Sequence, residues 1–282
     1  MGTTIIYIFV SMKSIVILAN GQYPRKEFPQ FLLKSADAVV CCDGALMTAE
    51  KHGIVPDAVV GDLDSVCGRA LRRYNGTDKT SAPAEKPADN GSARDGSSPC
   101  DGNGNCEIGS TRESNGPCEN SDTRDGNGTC NKQRTVVRVS DQDTNDLTKA
   151  LRYVLDTWPD ADTIHIIGAT GKSEAHTIGN ISLLMEYESA FNLADKGISV
   201  DIVSDYSTIF AIAGSCELHV GEGRKVSIFS PDPSLRIESE GLVWPTDNVT
   251  FDNWWKGTLN RASSDIIKLK FNHPSKALVI LD

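Results

Sequence analysis

The chain has 282 residues, a net charge of −10 and a pI near 5, with an ordinary hydrophobic content. The acidic balance excludes a general nucleic-acid binder, which needs a basic face, but it leaves room for ATP, since a phosphate site needs only local positive charge or backbone N–H groups. No apolar run reaches the length of a membrane span.

The opening residues 1–11 are apolar but lack a basic segment before the apolar stretch, so they read as an extension ahead of a start at Met12 rather than a secretory signal. From Met12 the pattern alternates. Residues 15–18 form a strand, 27–35 a helix, 38–42 an apolar strand ending at Asp43-Gly44, and 45–52 a helix closed by Gly53. Residues 58–60 form the next strand and run into Gly61-Asp62-Leu63-Asp64-Ser65. Asp62 and Asp64 are alternate residues, which on an extended segment point the same way. Two such carboxylates make a hard oxygen site suited to Mg²⁺ bridged to phosphates, and the competing reading is a plain turn rich in Asp and Ser.

Residues 75–134 break the composition. They are Asn, Gly, Ser, Asp and Thr with few large apolar side chains, and a 12-residue step repeats through Asn103-Gly104-Asn105-Cys106, Asn115-Gly116-Pro117-Cys118 and Asn127-Gly128-Thr129-Cys130. Four of the eight cysteines (Cys100, Cys106, Cys118, Cys130) fall here, without the paired spacing of a zinc site. Asp101-Gly102-Asn103-Gly104-Asn105 imitates the start of an EF-hand loop, but the sixth and twelfth positions are Cys106 and Arg112. The expectation is a disordered low-complexity insertion, too apolar-poor to offset its ordering entropy. Cys41, Cys42, Cys67 and Cys216 lie in or near apolar runs and read as reduced thiols of a cytoplasmic protein.

After the insertion come a strand at 136–139 and the acidic motif Asp141-Gln142-Asp143-Thr144-Asn145-Asp146, whose Asp146 opens a helix to 157 and could complete the metal site. A strand at 163–167 leads through Gly168-Ala169-Thr170-Gly171-Lys172 into a helix at 174–191. This imitates a P-loop but has Ile166 where the first glycine belongs. Gly168 and Gly171 still allow close backbone approach to a phosphate, with Lys172 to neutralise it. Alternating strands and helices imply a parallel sheet, with ligands beyond the strands' carboxyl ends, where Asn20, Asp43, Asp62, Asp64, Asp141 and Gly168 all fall. From 196 the short runs at 200–203, 207–213, 217–220, 225–229, 235–238, 266–271 and 277–281 have no helical period and read as a β-sandwich. The expected fold is therefore α/β: a Rossmann-like parallel-sheet domain over 12–195, interrupted by the insertion, then an all-β sandwich over 196–282.

Five motifs together make the sequence resemble the thiamine pyrophosphokinase (thiamine diphosphokinase) family. They are Asp43-Gly44-Ala45, Pro56-Asp57 through Ser65, Asp141 through Leu147 with Lys149-Ala150-Leu151, Gly168 to Gly171 with His176-Thr177 and Asn180, and Gly241-Leu242-Val243-Trp244. The resemblance implies transfer of diphosphate from ATP to the hydroxyl of thiamine with release of AMP, in a Mg²⁺-dependent homodimer whose sites lie at the subunit interface. It implies Asp62, Asp64 and Asp146 as metal and catalytic residues, with Asp146 as ligand or orienter of the hydroxyl. It assigns Asp43, Gly44, Asp62, Gly168, Gly171, Lys172 and His176 to ATP, and Gln142, Trp244 and Asn260 to thiamine, with Trp244 stacking on the pyrimidine in the other subunit's site. Where the family has arginine and aspartate after the glycine loop, this chain has Ser173 and Ala175. That departure raises a second reading, a weakened or non-catalytic thiamine- or nucleotide-binding homologue. A P-loop NTPase is the third.

Overall fold

A computed structural model describes residues 12–66, 68–74 and 134–282. The expected extension at 1–11, residues 75–133 of the repeat insertion, and Cys67, Cys100, Cys106, Cys118 and Cys130 lie outside the described residues.

In chain order the elements are β1 (Ser14–Leu18), α1 (Glu27–Ser35), β2 (Ala38–Cys42), α2 (Leu46–Lys51), β3 (Ala58–Gly61), α3 (Gly68–Tyr74), β4 (Thr135–Arg138), α4 (Asp146–Thr157), β5 (Thr163–Ile167), α5 (Glu174–Ala190), α6 (Leu193–Lys196) and β6 (Ser199–Val203). The antiparallel part adds β7 (Thr208–Ile212), β8 (Cys216–His219), β9 (Lys225–Phe229), β10 (Ile237–Glu240), β11 (Asn260–Arg261), β12 (Ile266–Phe271) and β13 (Ala277–Leu281).

One sheet runs β11-β9-β13-β7-β6-β5-β1-β2-β3-β4, and a second, β10-β12-β8, stacks on its antiparallel end. The strands from β6 to β4 are all parallel, and from β7 onward the pairings turn antiparallel. Sequence pattern groups residues 200–203 with the sandwich; in the sheet β6 joins the two halves, parallel to β5 and antiparallel to β7.

The pattern of burial follows from this layering. β2 and β3 are buried at every position, as expected of strands covered on both faces. On one face Ile15, Ile17, Val40, Val60, Ile164 and Ile166 pack under Leu147, Leu151 and Val154 of α4 and Leu184 and Tyr187 of α5. On the other, Val16, Leu18, Cys41, Val59 and Ile167 meet Leu33, Leu46, Ala49, Ala70 and Tyr74 of α1 to α3. β12 alternates exposed and buried because only one of its faces meets the main sheet; Ile267, Leu269 and Phe271 close the sandwich core against Val226, Ile228 and Val279.

The helix expected at 45–52 begins as a 3₁₀ turn over Asp43–Ala45, because the chain turns directly off β2. α3 and α6 were not legible from pattern: among the described side chains of α3, Ala70 and Tyr74 are the buried ones, and α6 is a single turn bounded by left-handed Asn192 and Gly197. Since β1 to β5 are parallel, Asn20, Asp43, Asp62, Asp141 and Gly168 all emerge at one sheet edge.

Candidate active site

β2 delivers Asp43 at 1% exposure. Its carboxylate accepts from the N–H of Leu63 at 2.9 Å and from the N–H of Gly44. Burial pushes its pKa up and the nearby Asp146 charge adds to this, while the two N–H bonds act against them. Gly61 is required beside it: a Cβ there would stand 2.6 Å from Asp43 Cγ.

The acidic motif then leaves the strand. β3 ends at Gly61, and Leu63 is left-handed at φ 67°, uncommon for a residue with a side chain. Asp64 N–H donates to Asp62 Oδ1 at 3.2 Å and Ser65 Oγ to Asp64 Oδ1 at 2.9 Å. Asp62 and Asp64 are therefore brought together by a turn, not by strand alternation. Among the described residues, Asp43, Asp62 and Asp64 each offer an oxygen, and these three atoms lie within 4.8 Å of one another. With Mg²⁺–O bonds of about 2.1 Å, adjacent ligands of an octahedral ion stand roughly 3.0 Å apart and opposite ones roughly 4.2 Å. Three hard anions within 4.8 Å of one another have the chemistry for such an ion and would draw inward to bind it.

Asp146, expected beside Asp62 and Asp64, stands at the start of α4, where its Oδ1 is 3.1 Å from Lys149 Nζ; the same ammonium is 3.8 Å from Asp62 Oδ2. The N–H of Asp64 is the main cause that lowers the Asp62 pKa, with Lys149 contributing. Lys149 thus joins the two motifs. Asn145 caps α4, its side chain accepting from Thr148 N–H at 2.9 Å.

Above the carboxylates lies a cleft of about 270 Å³ lined by Asn20, Asp43, Asp146, Lys172, His176 and Asn180, with Gly44 also at its wall. Its roof is the glycine loop. Gly168 and Gly171 have φ of 74° and 91°, and the loop is zipped to the β1–α1 connection by Gly21 N–H to Gly168 O (2.6 Å) and Gln22 N–H to Thr170 O (2.7 Å). Lys172 Nζ donates to the Asn20 carbonyl at 3.1 Å and to Asn20 Oδ1 at 3.0 Å. Asn180 Nδ2 donates to the Ala169 carbonyl at 2.8 Å and holds the loop to α5. Ile166 is buried inside β5, so no P-loop wraps here. Ser173 caps α5, accepting from His176 N–H at 3.4 Å. The first turn of this 17-residue helix opens into the cleft, an arrangement that favours an anion. A second cavity of about 430 Å³ lies across the loop, sharing Thr170 and Thr177 and lined by Gly168 and Gly171.

The residues expected to meet thiamine are not in this cleft. Gln142 is exposed on the β4–α4 connection, and the Trp244 side chain stands out at 60% exposure. Asn260 is buried and its amide is taken up by main chain: Nδ2 donates to Trp244 O at 2.6 Å, and Oδ1 accepts from Trp244 N–H at 3.2 Å and Arg261 N–H at 2.8 Å. Asn260 is tied in this way to the backbone of Trp244. Lys149 and Asn180 stand in the motifs and Asn20 just past the end of β1, but their tethering roles are not readable from spacing.

A parallel α/β half continued into a β-sandwich, with a carboxylate turn, a glycine loop and a helix N-terminus around one cleft, is the frame of a transferase acting on a phosphorylated substrate. Two family models match: "Thiamin pyrophosphokinase, catalytic domain" over residues 121–194 and "Thiamin pyrophosphokinase, substrate-binding domain" over residues 208–279, together just over half of the chain. The chain belongs to the thiamin pyrophosphokinase family. Among solved structures it resembles thiamine pyrophosphokinase from Bacillus subtilis (18% identity, TM-score 0.59, 96% of this chain and 99% of that one). It also resembles the enzymes from Candida albicans (12% identity, TM-score 0.63, 96% and 88%) and from yeast (13% identity, TM-score 0.60, 96% and 87%). At these identities the structures speak for the fold. No curated protein matches the sequence.

Proposed function

We propose that this chain is a thiamine diphosphokinase that moves the diphosphate of ATP to the hydroxyl of thiamine, with AMP leaving. The observation that carries the reading is that Ser65 of the first acidic motif, Asn145 and Asp146 of the second, and Ala169 and Thr170 of the glycine loop line one cleft, with Asp43 joining that cleft to the carboxylates of Asp62 and Asp64, in a chain of this family. The hydroxyl attacks the β-phosphorus in line with departing AMP, so the protein's work is positioning and charge neutralisation. The first turn of α5 and Lys172 hold the phosphates, with His176, Gly44 and the glycine-loop backbone around them. Asp43, Asp62 and Asp64 hold Mg²⁺, which when bound neutralises the phosphate oxygens. Asp146, at the cleft wall, orients the attacking hydroxyl or adds a ligand.

Thiamine sits against Gln142 and, by its pyrimidine, Trp244. The exposure of Trp244 and its distance from the cleft lining support a site completed by a second copy of the chain, hence a homodimer. A cytoplasmic setting agrees with the free, buried Cys41 and Cys42. No described helix is long and apolar enough to cross a membrane.

The test is substitution in the acidic turn. Asp62→Ala and Asp64→Ala should each abolish Mg²⁺- and thiamine-dependent AMP formation while the protein keeps a cooperative thermal transition. Unchanged turnover in either variant defeats the metal assignment.

A further inference from the structure

Lys149 is the buried cation among the described residues, its side chain 3% exposed. Lysine is almost never buried without a partner, and its partners here are unusual. They come from two motifs: Asp146, three residues earlier on α4, at 3.1 Å, and Asp62, from the turn after β3, at 3.8 Å. Asp43 and Asp64 complete the same acidic group. Lys149, like Asp62 and Asp64, is not among the residues lining the cleft, whereas its partner Asp146 is. A buried ion pair is poor evidence for stability as such, because desolvation offsets much of the attraction. The position of this ammonium between the Asp62 and Asp146 carboxylates points to a different role.

We infer that Lys149 is a built-in counter-cation of the acidic turn, which weakens the binding of a free divalent ion and favours the ion that arrives on a nucleotide. The inference rests on the reading of Asp43, Asp62 and Asp64 as the metal site. A bare Mg²⁺ meets three carboxylates, one of which, Asp62, already stands 3.8 Å from an ammonium that offsets its charge. A Mg²⁺–ATP complex is a net anion. The same ammonium repels the first and attracts the second, as do Lys172 and the first turn of α5. Lys149 is therefore a positioning residue that sets which form of the metal enters.

The experiment measures Mn²⁺ binding to nucleotide-free protein, by electron paramagnetic resonance, and Mg²⁺–ATP binding by calorimetry. Lys149→Met should bind free Mn²⁺ about tenfold more tightly than wild type and Mg²⁺–ATP about tenfold more weakly. A residue with a merely structural role would move both affinities in the same direction or neither, and that result overturns the inference. If Lys149→Met does not fold, the comparison is made in the Asp146→Asn background, where one of the two carboxylate partners is already neutral and Asp62 remains. There Lys149→Met must still tighten Mn²⁺ binding relative to Asp146→Asn alone, and the absence of tightening overturns the inference. Wild-type Mn²⁺ binding that survives Asp62→Asn shows instead that the metal lies elsewhere, which removes the reading beneath the inference as well.

Discussion

The side chain of Asn260 grips the backbone of Trp244 from both ends, giving its Nδ2 hydrogen to the tryptophan carbonyl at 2.6 Å and accepting the tryptophan N–H at 3.2 Å. The two residues are held by the same strand edge, beside the bridge between Leu242 and Ala262. The indole itself is left exposed, so its direction depends on the backbone that Asn260 fixes.

Asn260→Ala removes both bonds to Trp244 and the one to Arg261, and leaves buried groups without partners. The expected cost is about 1–3 kcal/mol of stability. The kinetic signature separates positioning from folding: the thiamine KM should rise by about tenfold while the ATP KM is unchanged, the same direction expected for Trp244→Ala. Equal increases in both KM values would show a general loss of structure.

The departure at Ser173 and Ala175 has a structural cost attached to its repair. Ser173 is the N-cap of α5, so Ser173→Arg gives up roughly 1 kcal/mol of helix stability, a Tm loss of roughly 2–4 °C. With Ala175→Asp it adds a charged phosphate donor and its anchor at the cleft, worth about 1.5–3 kcal/mol. The double variant should therefore melt lower yet show at least about a tenfold gain in kcat/KM. Equal or lower kcat/KM would mean that Lys172 and the α5 N-terminus already supply what the phosphates need.

Asp232 gives the fold an acid-sensitive joint. Its carboxylate accepts from Ser234 Oγ at 2.6 Å, Ser234 N–H at 2.9 Å and Ser275 Oγ at 2.8 Å, with His273 at 3.7 Å. These bonds, first of all the Ser234 hydroxyl, pull its pKa down from the ordinary 3.8 to about 2. The folded protein then holds fewer protons than the unfolded chain between those values. Stability from this group is present above about pH 4 and is lost as pH falls through about 2. Thermal melts from pH 5 to pH 2 should show a shallower acid limb for Asp232→Asn than for wild type. Parallel curves would remove Asp232 as the cause.

Much of this could be read in the sequence because alternation and apolar runs report layers directly. The parallel half, the sandwich and the strand-end placement of Asp43, Asp62 and Gly168 follow from local pattern. The approach of Asp62 to Asp64 did not, because it depends on the left-handed Leu63, and nothing in a leucine announces φ 67°. Lys149 reads as a surface lysine of a helix until α4 is docked with that face inward. Asn260 and Trp244 are sixteen residues apart, and only the strand-edge bridge makes them neighbours. β6 looks like a sandwich strand by composition, and in the sheet it is the junction, parallel to β5 on one side and antiparallel to β7 on the other.

The residues flanking the repeat insertion meet. Arg134 Nη1 donates to the Tyr74 carbonyl at 3.0 Å, with the guanidinium 5.8 Å from the Tyr74 ring. Deleting residues 78–132 and rejoining the ends should leave Tm and Mg²⁺–ATP binding at wild-type values, since the closure is already made by the described residues on either side. A large loss of cooperativity in the melt would show that the repeats pack on the fold.

The central claim is a diphosphate transfer, and its products identify it. Purified protein with ATP, Mg²⁺ and thiamine, followed by ³¹P NMR, should give AMP and thiamine diphosphate in equal amounts, with neither formed when thiamine is withheld. ADP as the nucleotide product, or AMP released without thiamine, would contradict the account.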